Sequence, residues 1–305
     1  MNPNNTYEVT SQNFDATYKD IFKYIMKYGV AHKGTTAVFN VSWSFQGWMT
    51  PVLGLRKVYL GTLVKELNWI LRGEYNVQAL GKQAHIWAPW ADKNGNLQSS
   101  YGRYLRSFPT NFTPSPGEAC QDTLDKSPRG LGGIDQMQKL LEGLLEETPS
   151  RRLQASLMHP ESHYSSNLPP CMSGLGLNWF ATERDGRKLI ANIKFRSSDF
   201  GIGFVFDILQ WYLVVQMLIQ EANKSLPFSE QYSLASYTFS ADCMHVYDQH
   251  LYSLREMVTR LNTPAIEWHG YYLTLPENSL DMTEDIQLNI PHYHPYDSIK
   301  LPLIV

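Results

Sequence analysis

The sequence predicts an α+β fold, a half-buried sheet packed against a central buried helix, and three observations predict it. Two segments alternate apolar and polar residues with period two, several others repeat apolar residues at helical spacing, and one helical segment is apolar on nearly every side. At 37–45, AVFNVSWSF puts Val41, Trp43 and Phe45 on one face and Asn40, Ser42 and Ser44 on the other. At 188–195, KLIANIKF repeats the pattern through Leu189, Ala191, Ile193 and Phe195. Both read as strands with one covered face. Helical spacing runs over 16–28 through Tyr18, Ile21, Phe22 and Ile25, with Gly29 as a stop, and over 134–146 through Ile134, Met137, Leu140, Leu141, Leu144 and Leu145. The segment 58–72 carries Leu63, Leu67 and Ile70 on one helical face. A further helix over 207–222 is apolar almost all round, so its place is the centre of the molecule, packed on the sheet.

The 305 residues are 43% hydrophobic, 13% aromatic and 18% charged, ample for a large core and unlike a disordered chain. A formal net charge of −3 gives no general attraction to nucleic acid or to an anionic membrane, so any phosphate has to be met by a local cluster of arginines. Three cysteines, Cys120, Cys171 and Cys243, cannot all pair, no CxxC occurs, and MNPNNTYEV lacks the basic-then-apolar pattern of a signal peptide. A reducing cytoplasm is the expected compartment, and the NFT at Asn111 is then a chance sequon. The most apolar stretch, 211–219, is interrupted by Gln216 and shorter than the ~20 residues of a membrane span. Pro, Gly and Ser concentrate at 107–133, an irregular insertion. With no internal repeat, the expectation is a single domain over 1–305 carrying that excursion.

Several residues invite chemistry. Asp207 sits in the apolar run RSSDFGIGFVFDILQW, where a charge costs several kcal/mol unless paired or neutralised, so it is a helix cap or a working acid. Glu66 lies beside the Leu63/Leu67/Ile70 stripe, either at its edge paired with a surface lysine or inward as a second acid. Cys171, after Pro169 and Pro170, is either a small core residue or a nucleophile. A nucleophile needs thiolate and hence a cation, for which Arg196 and the pair Arg151 and Arg152 are candidates. The same guanidiniums, with the hydroxyl of Ser197, suit a phosphate dianion, although a double arginine is as readily a solvated surface feature. His245 and Tyr247 alternate on one face of a strand and can grip a hydroxyl. A metal set fails on the His245/His250 spacing, and Gly201-x-Gly203 lacks the rest of a dinucleotide fingerprint.

The order of KELNWILRGEYN, HIWAPWADKNGNL followed by YGRYLR, PSRRL, LPPC, FRSSDFGIGFVFD, HVYDQH and HPYDSIKLPLIV resembles the folate-dependent thymidylate synthase superfamily over residues 16–305. The resemblance implies a thymidylate synthase-like α+β homodimer on a large mixed sheet, each active site borrowing arginines from the other subunit. It makes Cys171 the nucleophile that adds to carbon 6 of a pyrimidine nucleotide. Arg196 and Ser197, with Arg151 and Arg152 from the partner subunit, would hold the 5′-phosphate, and His245 and Tyr247 the sugar 3′-hydroxyl. Glu66 would run proton relays through water, and Tyr101 would assist proton removal from carbon 5. Trp87, Trp90, Asp199 and the tail ending at Val305 fall on the folate side, the implied one-carbon donor being 5,10-methylenetetrahydrofolate, with no metal.

Where thymidylate synthases carry an asparagine that reads uracil, this chain has Asp207. A carboxyl group can accept from the exocyclic amine of cytosine and, when protonated, donate to its ring nitrogen, whereas uracil would set acceptors against each other. The active-site pattern is similar to that of the deoxycytidylate (dCMP) hydroxymethylases of bacteriophages, which implies a dCMP 5-hydroxymethylase working in a cytoplasm, the host's if the source is a phage. Capture of the intermediate by water gives hydroxymethyl, and reduction gives methyl; the tryptophans and tail resemble a reducing synthase, so dCMP methylation is the second expectation. A CMP hydroxymethylase and a catalytically dead nucleotide-binding regulator also stay open. Met172 and Phe195 stand where the family usually has histidine and glutamine, and the phosphate loop is shortened to AHKGTT, leaving Lys33 in place of an arginine.

Overall fold

The computed structural model describes residues 6–9, 13–97, 99–109, 133–263, 271–277, 280–291 and 293–304. Its centre is a mixed sheet of β1 (Thr6–Val9), β2 (Val30–His32), β3 (Thr35–Gln46), β4 (Gln154–Ser156), β5 (Met172–Ala181), β6 (Arg187–Phe195), β7 (Ser198–Asp199) and β8 (Tyr232–Tyr247). The strand order is β1-β3-β8-β6-β5-β4, with β2 on β3 and β7 on β8. β8 runs parallel to β6 and β7 and antiparallel to β3. A small antiparallel pair, β9 (Tyr272–Thr274) and β10 (Gln287–Asn289), stands apart.

The alternation predicted for β3 and β6 holds: Val41, Trp43, Phe45, Leu189, Ala191, Ile193 and Phe195 are all buried. The opposite face carries hydroxyl pairs, Ser42 to Ser240 and Ser44 to Thr238, each at 2.9 Å, and Ser240 reaches Asn192 at 3.3 Å.

The helices are α1 (Phe14–Tyr28), α2 (Leu60–Leu71), α3 (Tyr101–Arg106), α4 (Gln136–Leu144), α5 (Pro160–Ser165), α6 (Gly203–Ser225) and α7 (Leu251–Met257). The side chain of Asn13 caps α1 by accepting from Asp15 N at 2.8 Å. It ends at Gly29, where the backbone turns extended (φ −70°, ψ 152°), and a side chain there is excluded because a Cβ would stand 2.4 Å from the Ile25 carbonyl oxygen.

α6 is the central helix, buried along Phe204, Val205, Ile208 to Val215 and Met217 to Ile219. It begins four residues earlier than the predicted 207, and Ile202 occupies its cap position without a side-chain bond. A capping role for Asp207 is therefore excluded. At 23 residues α6 is also longer than the apolar stretch suggested and passes a length-and-composition test for a membrane span, but its apolar surface is buried against the sheet and the neighbouring helices. The shortened loop at 31–36 is a two-residue β-hairpin turn, with Lys33 at φ 49° and Gly34 at φ 73° joining β2 to β3. Of the 107–133 insertion, 110–132 lie outside the described residues, and Cys120 with them.

Candidate active site

The antiparallel β5/β6 pair brings its two ends together, so that Cys171, just before β5, meets Arg196, just after β6, with Arg196 N donating to Cys171 O at 2.8 Å. The prolines ahead of the cysteine turn their carbonyls to the guanidinium. Arg196 Nε donates to Pro170 O at 2.8 Å and Nη2 to Pro169 O at 2.7 Å, which leaves Nη2 3.8 Å from Cys171 Sγ. Burial pushes the Cys171 thiol above its ordinary pKa, Arg196 pulls it down, and the carboxylates of Asp207 and Asp199 push it up.

Tyr101, the first residue of α3, accepts from the backbone N–H of Cys171 at 3.1 Å and of Met172 at 3.3 Å through its hydroxyl oxygen. Its own proton stays free to donate, and burial, with Cys171 and Asp207 nearby, holds the phenol well above its usual range. The ring stands edge-on to Trp87 at 6.3 Å and to Trp211 at 6.2 Å. Trp69, Trp87, Tyr101, Pro169, Pro170 and Cys171 line one cavity.

Glu66 faces inward from α2 and is buried, and its partners are an indole and an amide rather than a lysine. Its Oε1 accepts from the indole N–H of Trp87, and its Oε2 accepts from Gln210 Nε2 at 2.7 Å. Burial raises its pKa and the two donors pull it back. Asp207, one turn into α6, sets its Oδ2 beside Gly203, 3.4 Å from where a Cβ on that glycine would stand. Burial pushes Asp207 well above the usual carboxylate range, and Glu66 and Asp199 push the same way.

Asp199 on β7 pairs in register with His245 on β8, and its Oδ1 accepts from Gly201 N at 2.9 Å. His245 and Tyr247 share a face of β8 with rings 5.0 Å apart and edge-on. Burial lowers the His245 pKa against the pull of Asp199, and His32 and His250 add to the lowering, which favours a neutral imidazole. Ser197 is half-buried between β6 and β7. Trp90 follows Trp87 in the turn Ala88–Trp90, the two rings 6.1 Å apart. The tail is laid against the body through Tyr296 N to Gly54 O at 2.8 Å and His250 Nε2 to Pro302 O at 2.8 Å. Val305 lies outside the described residues.

Arg151 and Arg152 do not join this cluster. They are exposed in the turn between α4 and β4. The β4/β5 register sets Gln154 opposite Gly176, which puts Arg152 opposite Asn178. At ~3.3 Å per strand residue that is about 23 Å along β5 from Cys171, beyond the reach of an arginine.

Three residues were missed by sequence reasoning. Gln210 holds Glu66, and its signal was an amide three residues after Asp207 in an otherwise apolar helix. His250, fully buried, holds the tail, a role that its spacing from His245 does not suggest. Buried Arg56 clamps the turn into α6 by donating to Gly201 O at 2.7 Å, and nothing in its sequence setting marked it.

The thymidylate synthase family model matches residues 16–305. Among curated proteins, a thymidylate synthase of Haloferax volcanii is 30% identical over 186 residues, 61% of this chain; the match spans about half of that relative, 51% of its length. Thymidylate synthases of two Coxiella burnetii strains, Dugway 5J108-111 and RSA 331 / Henzerling II, are each 26% identical over 297 residues, covering 94% of this chain and 99% of theirs.

Proposed function

The chain belongs to the thymidylate synthase family, and from that premise we propose that it is a folate-dependent enzyme that hydroxymethylates carbon 5 of dCMP. 5,10-Methylenetetrahydrofolate supplies the one-carbon unit at the oxidation level of formaldehyde. Cys171 Sγ, as thiolate beside Arg196, bonds to carbon 6 of the cytosine. The displaced electron pair is received at N3, which takes a proton from Asp207, while the other Asp207 oxygen accepts from the exocyclic amine. Carbon 5 is then nucleophilic and bonds to the one-carbon unit; Tyr101 assists loss of the carbon 5 proton, the bond to the folate nitrogen breaks to release tetrahydrofolate and leave an exocyclic methylene, and Glu66 moves protons through water. Addition of water to the exocyclic methylene gives the hydroxymethyl group, and loss of Cys171 frees the product.

The observation that carries the reading is Asp207, a carboxyl held well above the usual range in the same cluster as Cys171. An amide at this position would bind a base but could not protonate it, and general acid catalysis is worth roughly 10²–10⁴-fold. Arg196 and Ser197 are assigned to the phosphate, His245 and Tyr247 to the 3′-hydroxyl, and Trp87, Trp90, Asp199 and Val305 to the folate side. Arg151 and Arg152 are assigned to the partner subunit's phosphate site in a homodimer. Their distance from Cys171 in their own chain supports that assignment, as do exposed Phe180 and Ile190 among the strand residues. We read 1–305 as one catalytic domain working in a reducing cytoplasm, with Cys171 and Cys243 as free thiols.

A second reading, reductive methylation of dCMP, is favoured by one observation: the tail is docked, with Pro302 bonded to His250, as a seal against water would require. The test is mass spectrometry of reactions holding the protein, methylenetetrahydrofolate and equimolar dCMP, CMP and dUMP. Hydroxymethyl-dCMP with tetrahydrofolate is the expected product. Methyl-dCMP with dihydrofolate would establish the second reading, and a product from dUMP alone would overturn both.

A further inference from the structure

Glu66, buried, and Asp207, half-buried, are two neighbouring carboxyl groups; the Glu66 charge raises the cost of ionising Asp207, and their hydrogen bonds are unequal. The indole N–H of Trp87 can only donate, and it meets Glu66 Oε1. Gln210, 3% exposed, turns its amide nitrogen to Glu66 Oε2 at 2.7 Å and to Leu63 O at 3.3 Å. The Leu63 carbonyl is a pure acceptor and so fixes which end of the amide faces Glu66; the flipped amide would oppose oxygen to oxygen at both contacts. Both Glu66 oxygens thus accept a hydrogen bond from a fixed donor, and a bond donated to a carboxylate favours its ionised form over the protonated one. No hydrogen bond is donated to the Asp207 carboxyl by any described residue.

We propose that Gln210 is a positioning residue that, with Trp87, keeps Glu66 ionised and so assigns the proton of the Glu66/Asp207 pair to Asp207. Asp207 and Gln210 are three residues apart on one face of α6, so one helix presents both the acid and the donor that keeps its neighbour from taking the proton. The other titratable groups around Asp207 act in the same sense. Asp199 from β7, the Cys171 thiol ahead of β5 and the Tyr101 phenol of α3 are anions or become anions, and the nearby cation, Arg196, is engaged by the Pro169 and Pro170 carbonyls at the thiol end. The location of the proton is a property of the protein alone. Its use rests on the proposed activity: N3 of cytosine carries no hydrogen and needs one as Cys171 adds, whereas N3 of uracil already has one. In that step the Asp207 O–H bond breaks and the N3–H bond forms, leaving aspartate to accept from the exocyclic amine.

The test is infrared spectroscopy of the ligand-free protein at neutral pH, prepared with ¹³C-carboxyl aspartate or ¹³C-carboxyl glutamate. The expected result is one protonated-carboxyl band that moves with aspartate labelling and is absent from Asp207→Asn. In Gln210→Met, which keeps the volume and removes the donor, the band moves instead with glutamate labelling, and kcat/KM for dCMP falls by roughly tenfold or more, as for loss of a hydrogen bond to a charged group. A wild-type band that moves with glutamate labelling overturns the proposal, whether or not the variant folds. So does an aspartate band that persists unchanged in Gln210→Met. If the band sits on Asp207 and dCMP is not turned over, the proton assignment stands and the activity reading falls.

Discussion

Asp207 pays for its place. A carboxyl group pushed well above its ordinary pKa by burial is one whose protonated form the folded state favours, and this couples stability to pH with a definite sign. Below about pH 4 the folded and unfolded chains both keep the proton and the residue is neutral to stability. As pH rises the unfolded chain releases it first, so stability falls until the pH passes the folded value. Asp207→Asn has no proton to lose. It is expected to melt a few degrees above the wild type at neutral pH, with the gap closing as the pH falls below about 4, in calorimetry across that range. A variant that melts with or below the wild type at neutral pH would contradict a protonated Asp207. At this scale the sequence was legible where a residue type clashed with its surroundings. A carboxylate in FVFDILQW stands out, and so does an acid on the Leu63/Leu67/Ile70 face. Gln210 did not, because an uncharged amide is as much at home on a surface; only the packing of α6 against α2 shows it buried on Glu66. The indole donor on Glu66 was hidden for a similar reason, since nothing in the pattern around Trp87 says what its N–H meets.

Among the elements, α6 and the tail carry most of the site. The helix was visible from its all-round apolarity, but its start was not, because Gly201 and Gly203 read as loop while Arg56 clamps that turn from the α2 side. The tail rests on His250. A carbonyl only accepts, so the bond to Pro302 puts the imidazole proton on Nε2. Removing it with His250→Ala forfeits about 1 kcal/mol, enough to raise the open population of the tail about fivefold. Hydrogen exchange over 299–304 is expected to quicken by that order, and any methyl product to give way to hydroxymethyl as water reaches the site. Unchanged exchange in the variant would mean the tail is held elsewhere. Strands were legible only where alternation was clean. β3 and β6 have it; β8 alternates over 236–241, with Tyr237, Phe239 and Ala241 buried, but Leu234 and Ala235 before that run are both half-buried and break the period, and β5 carries Gly174 and Gly176 near its start, so neither stood out.

For the whole molecule, the class of fold follows from composition and period, but the strand order does not. β6 and β8 are parallel neighbours separated by the whole of α6, and β3 reaches β8 across most of the chain; such pairings depend on what the core closes around rather than on local pattern. The same long-range register decides the fate of the two arginine clusters. Arg196 is drawn to Cys171 by the β5/β6 ends, while Arg151 and Arg152 are carried away along β5, a division that adjacency in sequence could not show. The molecule thus brings a thiol, a cation beside it and two unequal carboxyl groups together from separate stretches of chain, and on the proposed reading one of those carboxyl groups selects the base.

The measurement that tests this most directly is the ratio of kcat/KM for dCMP to that for dUMP in the wild type and in Asp207→Asn. The wild type is expected to prefer dCMP, and the variant to lose roughly 100-fold or more on dCMP, mainly in kcat, with the ratio moving toward dUMP. A ratio left unchanged by the substitution would contradict Asp207 as the residue that selects the base and protonates it.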